Sequence, residues 1–449
     1  MANSTTPLLS NHQDQEFPNL NDHFSSLEQI IEPYFDTCNG KIAWPQILQV
    51  ILVSLACFFE AQQTFITIFT DAIPSWHCVS TNTSCNSMSN VCQLSLTEWN
   101  WDKPIYTSIV SEWSLHCFTS SILQGLPASS FFMGCLLGGL VLGVLGDSIG
   151  RKTMLFFGCL IMSIASIFIA FCNNVWMYSA LRFLSGYGRA AIGSSVIVLC
   201  SESVGKVIEA YAVLNTSHFK NERSNLDHNK LSFTTMSCSD PPLIKILLRK
   251  KSILGQLLLA VAAGFGIGLM YYGMPLGLGN GNFSLNLYLS TGLNALLELP
   301  SFLIVFFLVE KCKRRSTLVG LSVLSGVCGM LCMIASERKV LQMVLELTSF
   351  FSACTAFDLL LIYTSELFPT SIRNAAVSIV WQAVVLGGVA SPVLVDAGGD
   401  SNNKILAYLV LGIMTAIAGC LVVFLPETKG LKICKNIEEQ EQKGCNNDV

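Results

Sequence analysis

Apolar residues fall along this chain in ten long stretches, separated by polar connections that are mostly short. About 20 helical residues, rising 1.5 Å each, cross the roughly 30 Å of hydrocarbon in a bilayer. The pattern therefore predicts an all-α polytopic membrane protein. Its ten predicted spans lie near residues 46–70, 121–145, 153–172, 176–200, 252–274, 284–309, 317–336, 341–363, 375–396 and 404–425.

Two pairs of short motifs repeat at a nearly constant offset. The polar segment 146–152 follows the second predicted span, and the segment 310–315 follows the sixth. Ser201-Glu202 ends the fourth span, and Ser365-Glu366 ends the eighth. A repeat of this length is typical of transporters built from duplicated helical units.

The two halves of this repeat differ in one respect. Two further spans follow Glu366, but none follows Glu202, after which residues 203–251 are too polar for a lipid-facing helix. The chain is therefore predicted to be a six-plus-six arrangement that lacks one helical pair, giving four plus six.

These boundaries predict a domain organisation in five parts. They are an N-terminal tail (1–45), a four-span bundle (46–200) with an outer loop (71–120), a cytosolic loop (201–251), a six-span bundle (252–425) and a C-terminal tail (426–449).

Charge agrees with a membrane protein and predicts its orientation. Charged residues make up 12% of the chain, against about 25% in soluble domains. With a cytosolic N-terminus, 20 Lys and Arg residues lie in inside loops and tails and four lie outside. The positive-inside rule therefore predicts that both termini are cytosolic. The leading 45 residues hold six acidic residues and no basic cluster, so we expect no cleavable signal peptide.

The outer loop at 71–120 holds the residues that indicate an oxidising compartment. Four of the 18 cysteines lie there: Cys78, Cys85, Cys92 and Cys117. We expect them to form two disulfides, because their spacing does not suit a zinc site. The pairing of the four cysteines stays open. Asn82 and Asn282 start N-glycosylation triplets on the same side.

One motif resembles a superfamily signature. The segment Gly146-Asp147-Ser148-Ile149-Gly150-Arg151-Lys152 resembles the inside loop between helices 2 and 3 of the major facilitator superfamily. We interpret this segment as a tight connection in which Asp147 holds the cytosolic side closed. The alternative is a solvated turn.

Five further segments are together similar to the plant organic cation/carnitine transporters. They are 59–65, 125–134, 294–300, 366–370 and 426–430. The resemblance implies a secondary transporter of small organic cations or zwitterions, carnitine-like or polyamine-like, that works by alternating access. It also implies a gating set: Gly146, Asp147, Gly150, Arg151, Lys152, Arg182, Glu202, Glu366 and Arg373.

The resemblance breaks where the repeat breaks. Family members continue after helix 4 into helices 5 and 6, whereas here Val204-Gly205-Lys206 runs directly into a cytosolic segment. Two interpretations stay open: a carrier with ten spans, or a transport-inactive truncated paralogue or isoform that acts as a partner or regulatory membrane protein.

Polar side chains at membrane depth are costly and usually face a cavity, so they are the candidate substrate contacts. The set is Glu60, Gln63, Thr64, Tyr271, Tyr272, Asn294, Glu298, Asp358, Trp381 and Gln382. Glu60, Gln63 and Thr64 share one helical face. The alternative for Glu60 is a buried ion pair with Arg182.

Two of these groups allow specific expectations. Glu298 lies two residues before Pro300, so we expect the helix to break there and expose polar backbone. Tyr271 and Tyr272 can present aromatic faces to a quaternary ammonium; the alternative is that they anchor the helix at the membrane interface. Gly134, Gly138, Gly139 and Gly143 recur at the spacing of close helix packing.

The remaining expectations concern partners. We find no phosphate loop, Walker motif or His cluster, so we expect neither an enzyme nor an ATP-driven pump. No cofactor is predicted, and proton or sodium coupling stays open. The expected partners are the substrate and the lipid bilayer, not nucleic acid; plasma and vacuolar membrane are both open, and no oligomeric state is predicted.

Overall fold

A computed structural model describes most of the helical part of the chain. The described residues are 44–79, 94–95, 97–115, 122–193, 195–196, 199, 251–278, 287–335, 338–369, 372–396 and 401–429. The chain divides into two compact units, Met1–Leu55 and Ala56–Val449, and every contact reported below lies within the second. Six predicted residues lie outside the described residues: Cys85, Cys92, Cys117, Asn82, Asn282 and Glu202.

Helices make up most of the described chain. In chain order they are α1 (Trp44–Phe65), α2 (Thr67–Thr70), α3 (Ile109–Glu112), α4 (Ile122–Ile149), α5 (Arg151–Ile169), α6 (175–193), α7 (Lys251–Leu278), α8 (Leu287–Lys311), α9 (Arg314–Ile334), α10 (Lys339–Leu367), α11 (Arg373–Asp396) and α12 (Ser401–Leu421). Two short 3₁₀ segments, Ile105–Thr107 and Val422–Phe424, accompany them.

The predicted all-α membrane fold is confirmed. Within the described residues, eight helices are long and apolar enough to span a bilayer, and Tyr408–Phe424 forms a shorter apolar one. The helix at 175–193 coincides with the fourth predicted span. Each of the ten predicted spans therefore contains a helix.

Helix α11 is central to the packing of the second unit. It packs against α7 on one side and α4 on the other, so it joins the early helices to the later ones. Helices α9, α10 and α12 pack beside α7, and α8 packs on α10. A buried aromatic and aliphatic core fills the space between α4, α7, α10 and α11.

Three of the four glycines predicted to pack helices do so. A Cβ on Gly134 would lie 2.0 Å from the Phe183 carbonyl oxygen, and one on Gly138 would lie 2.6 Å from the Tyr187 carbonyl oxygen. Gly139 instead faces α11, where a Cβ would lie 1.9 Å from Gln382 Nε2. Glycine at positions 134 and 138 therefore lets α4 approach the α6 backbone this closely, and Gly139 leaves room for the Gln382 side chain of α11.

The predicted connection after α4 is shorter than the motif suggests. Residues 146–149 belong to α4, and Gly150 alone separates it from α5. Gly150 has φ +94°, a region that L side chains rarely adopt, and a Cβ there would meet no neighbour. Glycine is therefore required by backbone conformation and not by space.

The outer loop contains a small sheet that sequence analysis did not predict. Strand β1 (Trp76–Cys78) pairs antiparallel with β2 (Trp99–Trp101). Cys78 is disulfide-bonded. His77 Nδ1 lies 2.5 Å from Asp102 Oδ1, and hydrogen bonds from Ser75 and His77 hold the pKa of that exposed carboxyl below its usual range. The number and pairing of disulfides stay predictions.

Candidate substrate site

An ion pair joins α1 to α6 inside the membrane region. Arg189 Nη2 lies 3.1 Å from Glu60 Oε1, and both side chains are almost buried. The alternative prediction, that Glu60 pairs with Arg182, is therefore wrong. Arg189 Nη1 also lies 3.5 Å from the Cys135 sulfur on α4, so this arginine contacts two helices.

Arg182 is held by the backbone and side chain of Gln63 instead. Its Nη2 donates to the Gln63 carbonyl over 3.0 Å, and its Nη1 donates to Gln63 Oε1 over 3.3 Å. The guanidinium also lies 4.4 Å from the centre of the Phe131 ring. These contacts tie α1, α4 and α6 together at a fully buried arginine, and the gating role of Arg182 stays a prediction.

Gln63 and Thr64, the other two polar residues of the predicted α1 face, both form hydrogen bonds within the protein. Thr64 is buried and donates to the carbonyl of Glu60 over 2.9 Å. Gln63 accepts from Arg182, so Glu60 is the one charged residue of the three, and it pairs with Arg189.

On α7, Tyr271 and Tyr272 are both buried in the core cluster. The interfacial alternative for these tyrosines is therefore wrong. The Tyr271 ring stacks on Phe350 and Phe357, with ring centroids 5.8 and 5.4 Å away. The Tyr272 ring lies 4.4 Å from that of Phe132 on α4.

Glu298 on α8 accepts a hydrogen bond from one of these tyrosines. The Tyr271 hydroxyl donates to Glu298 Oε1 over 2.7 Å, joining α7 to α8. The expected break at Pro300 is not found: α8 continues from Leu287 to Lys311. The Ser301 hydroxyl donates to the Glu298 carbonyl over 2.7 Å.

A second carboxylate lies within electrostatic range of Glu298. Asp358 on α10 is half-buried, and its charge interacts with that of Glu298. Cys354, one turn earlier on α10, lies within range of both. The aromatic contacts continue on this side, since Trp381 lies 5.3 Å from Phe357. Two acids and several aromatic faces therefore surround one region between α7, α8 and α10.

The adjacent tyrosines connect the two charged regions. Tyr271 contacts Glu298, and the Tyr272 hydroxyl lies close enough to Arg189 for side-chain hydrogen bonding. The Glu60–Arg189 pair and the Glu298 carboxylate are thus reached by consecutive residues of one helix. The sequence predicted the tyrosines and the acids, but not this connection.

Gln382 lies at the contact between α4 and α11. Its amide faces Gly139, and its Oε1 is buried with no hydrogen-bond partner in the described chain. Nearby, the Ser129 hydroxyl donates to the Val389 carbonyl over 2.9 Å. This interface therefore contains polar groups at the boundary between early and late helices.

At the far end of α10, Glu366 is part of a dense polar cluster. Arg314 Nε and Nη2 each lie 3.2 Å from one of its carboxylate oxygens, and the Thr428 hydroxyl donates to it over 2.7 Å. The Arg314 backbone N–H donates to Glu427 Oε1 over 2.8 Å. This inner cluster, Arg314, Glu366, Glu427 and Thr428, fastens the start of α9 to the end of α10 and to the segment after α12.

The other predicted gating residues differ in how far their side chains are buried. Lys152 is exposed at the start of α5. Arg373, at the start of α11, has Nε and Nη2 buried with no hydrogen-bond partner in the described chain. The side chains of Asp147 and Arg151 lie outside the described residues, so the predicted latch by Asp147 stays a prediction.

Sequence reasoning passed over two buried acids. Asp71, one residue past α2, accepts from the Thr70 hydroxyl over 2.7 Å, while its Oδ2 has no partner in the described chain. Burial raises the pKa of this carboxyl to about 7, against the Thr70 hydrogen bond and the Arg182 charge, which lower it. Glu346 on α10 is only 2% exposed and lies 3.5 Å from the Asn294 amide nitrogen. Sequence analysis missed both acids because they lie near the ends of predicted spans, where a carboxylate commonly faces water.

Comparison with known proteins identifies the family. The sequence model of the family described as "Sugar (and other) transporter" matches residues 63–208 and 203–440. "Organic cation/carnitine transporter 3" of Arabidopsis thaliana is 42% identical, over 99% of this chain and 98% of the relative. "Organic cation/carnitine transporter 2" of the same plant is 38% identical over the same shares. The chain belongs to the plant organic cation/carnitine transporter family.

The family comparison also supports the predicted gap. The alignment with organic cation/carnitine transporter 3 spans 520 positions, more than the 449 residues here, so the relative carries residues that this chain lacks. The two family matches meet at residues 203–208, where the internal repeat placed the missing helical pair.

Among solved structures, the xylose transporter XylE from E. coli, in an inward open conformation, has a similar fold. The TM-score is 0.58 at 14% identity, over 89% of this chain and 99% of that chain. The major facilitator fold expected of an organic cation/carnitine transporter is therefore confirmed.

Proposed function

We propose that this chain is a secondary carrier that moves small organic cations or zwitterions across a membrane by alternating access. The observation that carries the proposal is the Tyr271–Glu298 hydrogen bond inside a group of aromatic rings. A carboxylate beside aromatic faces suits an ammonium or quaternary ammonium group, which is attracted to both. The role is transport and not catalysis, as the family membership supports.

The Glu60–Arg189 pair extends this proposal to zwitterions. A carnitine-like molecule carries an ammonium and a carboxylate. Its ammonium would lie between Glu298, Asp358 and the tyrosine rings, and its carboxylate would compete with Glu60 for Arg189. The consecutive positions of Tyr271 and Tyr272 support this arrangement, because each contacts one of the two charged regions.

Alternating access needs contacts that close one side while the other opens. The inner cluster around Glu366 and Arg314 is our proposed inner closure, together with the tight α4–α5 turn at Gly150. Charged hydrogen bonds of this kind can break and reform as helical bundles rock.

The orientation belongs to the same proposal. We place both termini in the cytosol, supported by the excess of Lys and Arg in the loops on that side. A glycosylation assay at Asn82 tests it: a glycan on Asn82 that is lost in Asn82→Gln agrees, and a glycan on the Asn3 or Asn215 triplet contradicts it. The choice between plasma and vacuolar membrane would follow from the location of the tagged chain in plant cells.

The deciding experiment is uptake of radiolabelled carnitine and of a diamine into cells that express this chain. A parallel form carries a family-like helical pair inserted after Lys206, and Glu298→Gln is tested beside each. Uptake by the native chain that Glu298→Gln removes supports the carrier. Uptake by the restored form alone means that the ten-span chain is transport-inactive, and the proposal is then wrong for it.

A further inference from the structure

Helix α8 has its polar side chains on the buried side. Ser290, Asn294 and Ser301 are buried, whereas Leu299 and Phe302 are exposed. The buried stripe faces α10, on which α8 packs. In a spanning helix, polar groups on such a face meet a partner helix or a polar cavity.

Glu346 on α10 is the charged group opposite this stripe. It is 2% exposed, and its one hydrogen bond comes from Asn294 Nδ2 to its Oε1 at 3.5 Å, the outer limit of such a bond. Its second oxygen, Oε2, has no partner in the described chain. A buried carboxylate with so little compensation is costly unless positive charge accompanies it.

Two more oxygen atoms of α8 share this lack of partners. Asn294 Oδ1 and Thr291 Oγ1 are both buried with no hydrogen-bond partner in the described chain. Thr291 and Asn294 are three positions apart, so both lie on the same side of α8. One carboxylate oxygen and two neutral oxygens therefore lie on the facing sides of α8 and α10, and within the described chain none of these three atoms has a hydrogen-bond partner.

The helices around Glu346 supply no cation of their own in the described residues. On α9 the Cys332 thiol lies within electrostatic range, and on α8 Glu298 lies one turn beyond Asn294. Helix α7 presents Tyr271 in the same core cluster, and α11 has its only charged residues, Arg373 and Asp396, at its two ends. Within the described residues, therefore, no Lys, Arg or His side chain compensates the Glu346 charge.

We propose that Glu346, Asn294 and Thr291 form a binding site for one monovalent cation, a proton or Na⁺, which is the coupling ion of the carrier. A single carboxylate matches a single positive charge. No cluster of three or more His, Cys, Asp or Glu residues suited to a multivalent metal occurs in the described residues. Oxygen-only donors suit both a proton and a hard cation such as Na⁺.

The position of the site gives it a role in transport. Asn294 and Glu298 are one helical turn apart on α8, about 6 Å along the helix. Glu346 thus contacts the turn of α8 next to the one that carries the proposed substrate carboxylate, and we expect a cation at Glu346 to change the potential at Glu298. The coupling role rests on the proposed function, whereas ion binding does not.

The test uses the full-length chain in lipid nanodiscs and needs no transport. Thermal unfolding is compared in NaCl and in choline chloride, and infrared difference spectra are recorded between acid and alkaline pH. If Na⁺ is the ion, we expect it to raise the Tm by roughly 2–4 °C when in large excess over its Kd. If a proton is the ion, we expect a protonated-carboxyl band that disappears as the pH rises.

Three variants assign the signal to Glu346. Glu346→Gln should remove whichever signal is found, and the matched control Glu310→Gln, an exposed carboxylate at the inner end of α8, should keep it. Asn294→Asp adds a second carboxylate and should strengthen cation binding at least about threefold. The site is refuted if the wild type gives neither signal, or if Glu346→Gln keeps the one it gives.

A binding measurement separates this inference from the proposed function. Equilibrium binding of radiolabelled carnitine should survive Glu346→Gln but lose its dependence on Na⁺ or pH. An ion signal specific to Glu346 without any organic cation binding would contradict the proposed function and leave the ion site standing. Substrate binding with an unchanged ion dependence in Glu346→Gln would contradict the ion site alone.

Discussion

Arg189 on α6 and Glu60 on α1 form an ion pair with 3.1 Å between Nη2 and Oε1, at a depth where neither side chain is more than 13% exposed. The pair takes the place of the Glu60–Arg182 contact that spacing alone suggested. Arg182 is left to hold Gln63, so the two arginines of α6 have separate tasks.

Breaking this pair on one side should destabilise the chain more than removing both partners. Glu60→Gln leaves the Arg189 charge buried without compensation, a change that costs about 3–5 kcal/mol in buried pairs. The double variant Glu60→Gln/Arg189→Gln should lose less than the sum of the single losses. Thermal unfolding of the four proteins measures this, and additive losses would contradict a direct interaction.

The Tyr271–Glu298 contact predicts a contrast between two substitutions. Glu298→Gln removes the charge and should raise the KM for a quaternary ammonium about tenfold, as expected for a charged contact of roughly 1.4 kcal/mol. Tyr271→Phe keeps the ring that attracts the cation and removes only the hydroxyl, so its KM should stay within about threefold. Equal losses in the two variants would place the cation elsewhere.

Asp71 predicts a pH dependence of stability. Its pKa is raised by burial from the ordinary 3.8 to about 7, so its stabilising contribution is complete below about 4, falls as the pH rises and is lost above about 7. Asp71→Asn lacks this dependence. The Tm of the variant minus that of the wild type should therefore increase from pH 5 to 8 and then level off; a constant or falling difference would be inconsistent with the raised pKa.

The inner cluster predicts a stability loss specific to Glu366. Glu366→Gln weakens two contacts with Arg314 and one with Thr428, and we expect a loss of about 2 kcal/mol. Glu310→Gln, which removes an exposed carboxylate of α8, should change stability by less than about 0.5 kcal/mol. Denaturant or thermal unfolding of the two variants gives the comparison, and equal effects would argue against the cluster.

Close packing of α4 predicts that Gly134 tolerates no side chain. Gly134→Ala places a Cβ 2.0 Å from the Phe183 carbonyl oxygen, so α4 and α6 must separate. We expect a large loss of folded protein in size-exclusion profiles. Gly292→Ala on α8, where a Cβ meets nothing within 4 Å, is the matched control and should fold normally. Normal folding of both would mean that the helices can separate at little cost.

The spans were predictable because membrane helices must satisfy their backbone internally and face lipid with apolar side chains. The pairing of Glu60 with Arg189 was not, since it depends on how α1 and α6 are rotated against each other. Continuity of α8 through Pro300 was not predictable either, because packing against neighbouring helices lets a membrane helix tolerate an internal proline, and that packing is not visible in the sequence pattern. Glu346 was passed over because it lies near the start of its predicted span, where position alone does not show whether a carboxylate faces water or a neighbouring helix.

Tyr271 and Tyr272 have a mechanical consequence that follows from their being neighbours. Consecutive residues of a helix point about 100° apart, so one rigid rod carries one ring toward Glu298 and the other toward Arg189. A rotation of α7 about its own axis would therefore change the Tyr271–Glu298 and Tyr272–Arg189 contacts together, so the two charged regions share one moving part.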